Sequence, residues 1–168
     1  MRYFLMSVSA IALTACETLP DALPPSVDDL AVHKAVLTLD THVDIPLSYM
    51  TDIDPGTETD LQVDLGKLES GALDAAFFIV YTPQGDLTEA GYKAGLDIAE
   101  TRVAAIQAMT KRYYDRVELA RKASDVRRIV SGGKQAVLIG MENAYPLGAS
   151  IEAVPRWAER GVRYMGIT

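Results

Sequence analysis

The residues of this chain best suited to chemistry are His42, Asp44 and Glu142. Only two histidines occur, His33 and His42, and only one cysteine, Cys16. A single cysteine allows no intrachain disulfide framework and no multi-thiolate zinc site, so a bound metal has to be held by imidazole and carboxylate. His42 and Asp44 form a His-x-Asp pair, and residues at i and i+2 of an extended chain project from the same face. An imidazole nitrogen and a carboxylate oxygen placed that way can share one zinc ion, with Asp40 just upstream adding negative potential. The pair by itself equally fits a loop histidine beside a nearby acid. Glu142 directly follows an apolar run, as His42 follows another. In parallel strands both positions fall at the C-terminal edge of the sheet, where α/β enzymes place their sites. On spacing alone Glu142 also fits a surface carboxylate capping the next segment.

Other chemistries fall away. Gly132-Gly133-Lys134 lacks the upstream glycine and the following Ser or Thr of a phosphate loop, and reads as a helix stop. No Gly-x-Ser-x-Gly occurs, so a serine-hydrolase elbow is absent. The basic cluster from Lys111 to Arg128 is interleaved with Asp115, Glu118 and Asp125 at helical periodicity, as a solvated face would be. His33 lies in a first short helix and reads as a surface or packed histidine. Trp157 and the pair Tyr113-Tyr114 read as core and helix packing. With 16 Lys+Arg against 23 Asp+Glu and a net charge of −7, the field of the chain repels a phosphate backbone, which argues against a nucleic-acid partner.

The elements that must position the three candidates alternate between two periods. Short apolar, β-branched runs at Val36 to Asp40, Leu73 to Tyr81, Gln135 to Met141 and Val162 to Ile167 predict buried strands. A helix over Asp28 to Ala35 precedes the first. A long helix opened by Thr88 carries Leu96, Ala99, Val103, Ile106 and Tyr113 at three- and four-residue steps. Ser124 to Ser131 forms a further helix stopped by Gly132-Gly133, and Ser150 to Arg160 another, ended by Gly161 and blemished by Pro155. Near-continuous apolar strands separated by helices predict parallel βα units, as in an α/β barrel or a doubly wound sheet. A (β/α)₈ TIM barrel needs about 250 residues, and about four units are present here. Thr168 stops directly behind an apolar strand, so a barrel would be represented by its first half.

The first residues read as an address. Arg2 precedes an apolar run from Tyr3 to Leu13, too short to span a bilayer but of signal-peptide length. The run ends in Leu13-Thr14-Ala15-Cys16, which resembles the bacterial lipoprotein box, in which the cysteine becomes the lipidated N-terminus. Pro20, Pro24 and Pro25 among acidic residues then disfavour helix and strand. The expected organisation is a signal peptide over 1–15, a flexible tether over 16–30 and the barrel segment over 31–168. The protein would be exported and anchored to a membrane through Cys16, on the periplasmic or extracytoplasmic face.

Four blocks together carry a resemblance. They are Leu39-Asp40-Thr41-His42-Val43-Asp44-Ile45-Pro46; Val63-Asp64-Leu65-Gly66-Lys67-Leu68 leading through Gly71 into Ala75 to Tyr81; Ile139-Gly140-Met141-Glu142-Asn143; and Gly161-Val162-Arg163-Tyr164-Met165. In order and spacing they resemble the membrane dipeptidase (renal dipeptidase) family of zinc metallopeptidases, over its N-terminal half. The resemblance implies a (β/α)₈ barrel of the metal-dependent hydrolase type with two zinc ions at its C-terminal mouth. His42 and Asp44 would ligate the first zinc, and Glu142, the catalytic carboxylate, would bridge the two. It implies hydrolysis of dipeptides by a metal-activated hydroxide, and a homodimer is compatible with it. The family completes its second zinc with two histidines from later strands, and a substrate-side histidine and an assisting acid come later still; none of these lies within the 168 residues. Where the family often has Gly-Gly-His after the bridging glutamate, this chain has Asn143-Ala144-Tyr145.

Two alternatives stand beside that reading. One is a non-catalytic exported lipoprotein that binds a ligand or partner; the other is a different amidohydrolase acting on a lactone, ester or acyl amide, which the same metal pair would serve. Taken literally, the segment has an open sheet edge and three of the expected ligands, which predicts poor folding alone and little activity.

Overall fold

The computed structural model describes residues 28–167. Its order is α1 (Asp29–Ala35), β1 (Leu39–Asp44), α2 (Leu65–Ser70), β2 (Ala75–Tyr81), α3 (Glu89–Arg112), β3 (Val117–Leu119), α4 (Ala123–Ser131), β4 (Gln135–Glu142), α5 (Val154–Arg160) and β5 (Val162–Met165), with two short 3₁₀ turns between β4 and α5. All strand pairs are parallel. β1 pairs with β2 and β2 with β4, while β3 and β5 share the other edge of β4, β3 at its first residues and β5 at its last. This is the α/β arrangement expected of the first units of a (β/α)₈ barrel, with β1, β2, β4 and β5 as the long-range frame.

Side-chain alternation divides the sheet into two faces. Ala76, Phe78 and Val80 of β2 and Val137, Ile139 and Met141 of β4 join one core with Leu65 and Leu68 of α2, Trp157 of α5, and Ala99, Val103, Ile106 and Met109 of α3. The α3 residues recur at steps of three and four, the spacing of one helical face. Thr88 caps this helix by accepting the Gly91 N–H at 3.1 Å, with Glu89 in the first turn and Lys111 and Arg112 in the last. The opposite face carries Ala75, Ala136 and Leu138, covered at the N-terminal end of the strands by Val126 and Ile129 of α4.

Several local expectations are revised. The first strand runs from Leu39 to Asp44 rather than from Val36 to Asp40. Pairing with β2 extends through its polar residues, whereas Val36 and Leu37 are exposed lead-in. The segment from Ser150 is a 3₁₀ turn at Ile151–Ala153 followed by α5, because Pro155 fits only in the first turn of an α-helix. Tyr113 does pack against the main core, but Tyr114 is exposed. Neither α2 nor β3 was expected. α2 is capped by Asp64, a buried carboxylate that accepts the Lys67 N–H at 2.9 Å. Among the described residues no helix is long and apolar enough to cross a membrane. The expected signal peptide, Cys16 and most of the tether lie outside the described residues.

Candidate metal centre

β1 and β4 bring the three candidate residues together. His42 Nε2 lies 3.5 Å from Asp44 Oδ1 and 3.1 Å from Glu142 Oε2. One donor atom from each of the three falls within 4.8 Å of the others. The sequence places these groups on two strands separated by β2, and the parallel register does the rest. Tyr81, the last residue of β2, is opposite Glu142, the last of β4. All three lie at the C-terminal edge of the sheet, where side chains point beyond the ladder into open space.

His42 and Asp44 do share a face, as an extended chain requires, but β1 is not a regular strand there. From Asp40 to Val43 it advances three residues while β2 advances two, from Ala76 to Phe78. The extra residue makes a β-bulge, a device that bends a strand and re-aims a side chain. The Asp40 carboxylate accepts the His42 backbone N–H at 2.8 Å, so Asp40 is tied to the bulge itself.

The surrounding pocket has a volume of about 690 Å³. Asp40, His42, Asp44 and Glu142 line it together with Tyr81, Arg102 and the Leu61-Gln62-Val63 segment. That segment is held from below by Asp64, which also accepts the Thr59 N–H at 3.0 Å and pairs with Lys67 Nζ at 3.2 Å. Burial opposes ionisation of Asp64, but the hydrogen bonds from Lys67 and Thr59 outweigh it and keep its pKa below the ordinary value. Arg102 reaches the pocket from α3 and donates to the Ile45 carbonyl, one residue past Asp44. Burial lowers its pKa, and the charge of Asp44 works against that shift. Its Nε has no hydrogen-bond partner.

Beyond the site, Asn143 takes a left-handed conformation with φ 69°, which turns the chain sharply behind Glu142. Its side chain accepts the Tyr145 N–H at 2.9 Å and donates to the Thr82 carbonyl at 3.0 Å. Tyr145 is buried against Tyr92, and its hydroxyl donates to the Asp86 carbonyl at 2.6 Å. The Asn-Ala-Tyr sequence therefore builds a rim turn. His33 is exposed, with Nε2 3.0 Å from the Gly71 carbonyl, and takes no part in the site.

Sequence reasoning missed Arg102, Tyr81 and the Leu61 to Val63 wall. Arg102 carried a usable signal, since it stands beside Val103 on the apolar face of α3, where a charge is out of place.

One imidazole and two carboxylates, all partly exposed and converging on one point, form a donor set that suits a divalent cation. Among the described residues the ion-pair partner of both Asp44 and Glu142 is His42, not a lysine or arginine.

Similar sequences and folds occur among known proteins. The chain is 36% identical over 107 residues to dipeptidase tcpJ of Claviceps purpurea (strain 20.1), a match covering 61% of this chain and 25% of that protein. It is 27% identical over 146 residues to dipeptidase 3 of Rattus norvegicus, covering 83% of this chain and 28% of that one. The chain thus spans about a quarter to a third of the length of the curated relatives it matches. Among solved structures, the probable dipeptidase PvdM from Pseudomonas aeruginosa superposes with a TM-score of 0.74 at 28% identity, over 83% of this chain and 36% of that one. A metallopeptidase from Rhodobacter sphaeroides, liganded with a phosphinate mimic of the dipeptide L-Ala-D-Ala, shares the fold with a TM-score of 0.65 at 19% identity, over 78% of this chain and 45% of that one. The family model for membrane dipeptidase, peptidase family M19, matches residues 28–168. Four sequence blocks, a parallel α/β sheet and a convergent His-Asp-Glu set lead to the same place: the chain belongs to the membrane dipeptidase family.

Proposed function

We propose that the protein hydrolyses dipeptides with zinc held by His42, Asp44 and Glu142, outside the cytoplasm and tethered to a membrane through a lipid on Cys16. The observation that carries the reading is the convergence of the three donors on one point at the C-terminal edge of the sheet. A divalent ion bound there supplies Lewis acidity, lowering the pKa of water towards neutrality and polarising a scissile carbonyl. His42 offers a neutral nitrogen, while Asp44 supplies charge from the same strand. Glu142, reaching in from β4, has two oxygens and is the group able to serve two ions, the binuclear arrangement the family implies. The Asp40 carboxylate, bonded to the His42 N–H, holds the backbone from which the imidazole projects.

The test is turnover of a dipeptide panel by the protein isolated from its host membrane, before and after chelation and in Glu142→Gln. Activity is expected to fall by at least about 100-fold in both cases and to return with zinc only in the wild type. Undiminished turnover in both would overturn the proposal. The anchor is tested separately by lipid labelling, which Cys16→Ala should abolish.

A further inference from the structure

Gly140 interrupts an otherwise apolar strand, and its neighbour on β5 explains why. A Cβ at Gly140 would lie 2.4 Å from Cζ of Tyr164 and 2.6 Å from its hydroxyl oxygen, so the tyrosine ring rests directly on the β4 backbone. A second bulge makes this possible: between Ile139 and Gly140 of β4, β5 advances two residues, from Val162 to Tyr164. The ring packs on Phe77 of β2 with centroids 5.0 Å apart and crosses the sheet to β1. There the hydroxyl donates to the Thr41 carbonyl at 2.9 Å.

Thr41 and His42 are the two residues without a partner in the β1–β2 register. Asp40 holds one side of this bulge through the His42 N–H, and Tyr164 holds the other through the Thr41 carbonyl. The tie spans β5, β4 and β1, and therefore links the strand of Glu142 to the strand of His42 and Asp44.

We propose that Tyr164, seated over Gly140, is a positioning residue for His42: its hydroxyl holds the β1 bulge in the shape that aims the imidazole at Asp44 and Glu142. The inference rests on the metal-binding reading of those three residues. Groups that orient a metal ligand characteristically matter for affinity without touching the ion, by about 10- to 100-fold.

The experiment is a cobalt(II) titration of the full chain, followed by visible absorption, for wild type and Tyr164→Phe. The thermal melt of each metal-free protein is measured alongside. Phenylalanine keeps the ring over Gly140 and removes only the hydroxyl. The expected result is about 10-fold weaker cobalt binding with an altered ligand-field band and an unchanged metal-free melt. A ¹⁵N NMR signal of the His42 imidazole that shifts in the metal-free variant is the second supporting result. Equal affinity with an identical band overturns the inference, as does a loss of affinity that merely accompanies a lower melt with the band unchanged. If the wild type binds no cobalt, it is the metal reading itself that fails.

Discussion

On the face of the sheet covered by α2, α3 and α5, nearly every side chain is apolar and closed off from water: Phe78, Val80, Ile139, Met141, Val103, Ile106 and Trp157 are all buried. The opposite face has a comparable apolar floor only where α4 covers it, and gives way towards its C-terminal edge to the pocket lined by His42, Asp44 and Glu142. The same strands serve both faces, because successive residues point in opposite directions. Stability is therefore concentrated on one side and the candidate site on the other, and substitutions one residue apart should have different consequences. Candidate metal ligands placed at strand ends cost the fold little, since they are not asked to pack.

The largest expected effect tests the closed side. Phe78→Ala, which empties a ring next to Tyr49 in the main core, should cost about 3–5 kcal/mol in denaturant unfolding. A loss below about 1 kcal/mol would mean that this face is not the stabilising one. Smaller is the effect at the support of the pocket wall. Asp64→Ala removes the cap of α2 and should cost about 0.5–2 kcal/mol. Because the folded-state pKa of Asp64 is lowered, its contribution is complete above the ordinary carboxylate pKa of about 3.9 and is lost as pH falls through the depressed folded value. Stability curves of wild type and Asp64→Ala should therefore converge below about pH 4, and curves that stay parallel in acid would contradict the assignment. The smallest effect belongs to the open side. Glu142→Gln should change the stability of the metal-free protein by no more than about 0.5 kcal/mol while lowering the proposed dipeptide turnover by at least about 100-fold. A large stability loss there would erase the distinction between the two faces.

Much of this was legible in the sequence for local reasons. The runs that became β2 and β4 stand out because buried strands are continuously apolar, and Thr88 announced the start of α3. His42, Asp44 and Glu142 could be picked out by type and by their position behind apolar runs. The start of β1 was misplaced because its second half is polar, and only pairing with β2 makes it a strand. β3 is three residues long, too short to show any period. Gly140 carried a signal, since a glycine inside a strand pattern marks a bulge or a close approach, but nothing local says what approaches.

That last case separates the two sources of information. Residue type and spacing picked out the candidate site groups, most of the strand and helix segments, and the parallel run of the strands, because each follows from interactions within a few residues or from the connections between elements. The distance from His42 to Glu142, the buried charge of Arg102 beside Asp44 and the bond from Tyr164 to a carbonyl 123 residues away were decided only by the tertiary structure. They depend on register and on two bulges, and a shift of one residue in either would turn the side chains to the other face of the sheet.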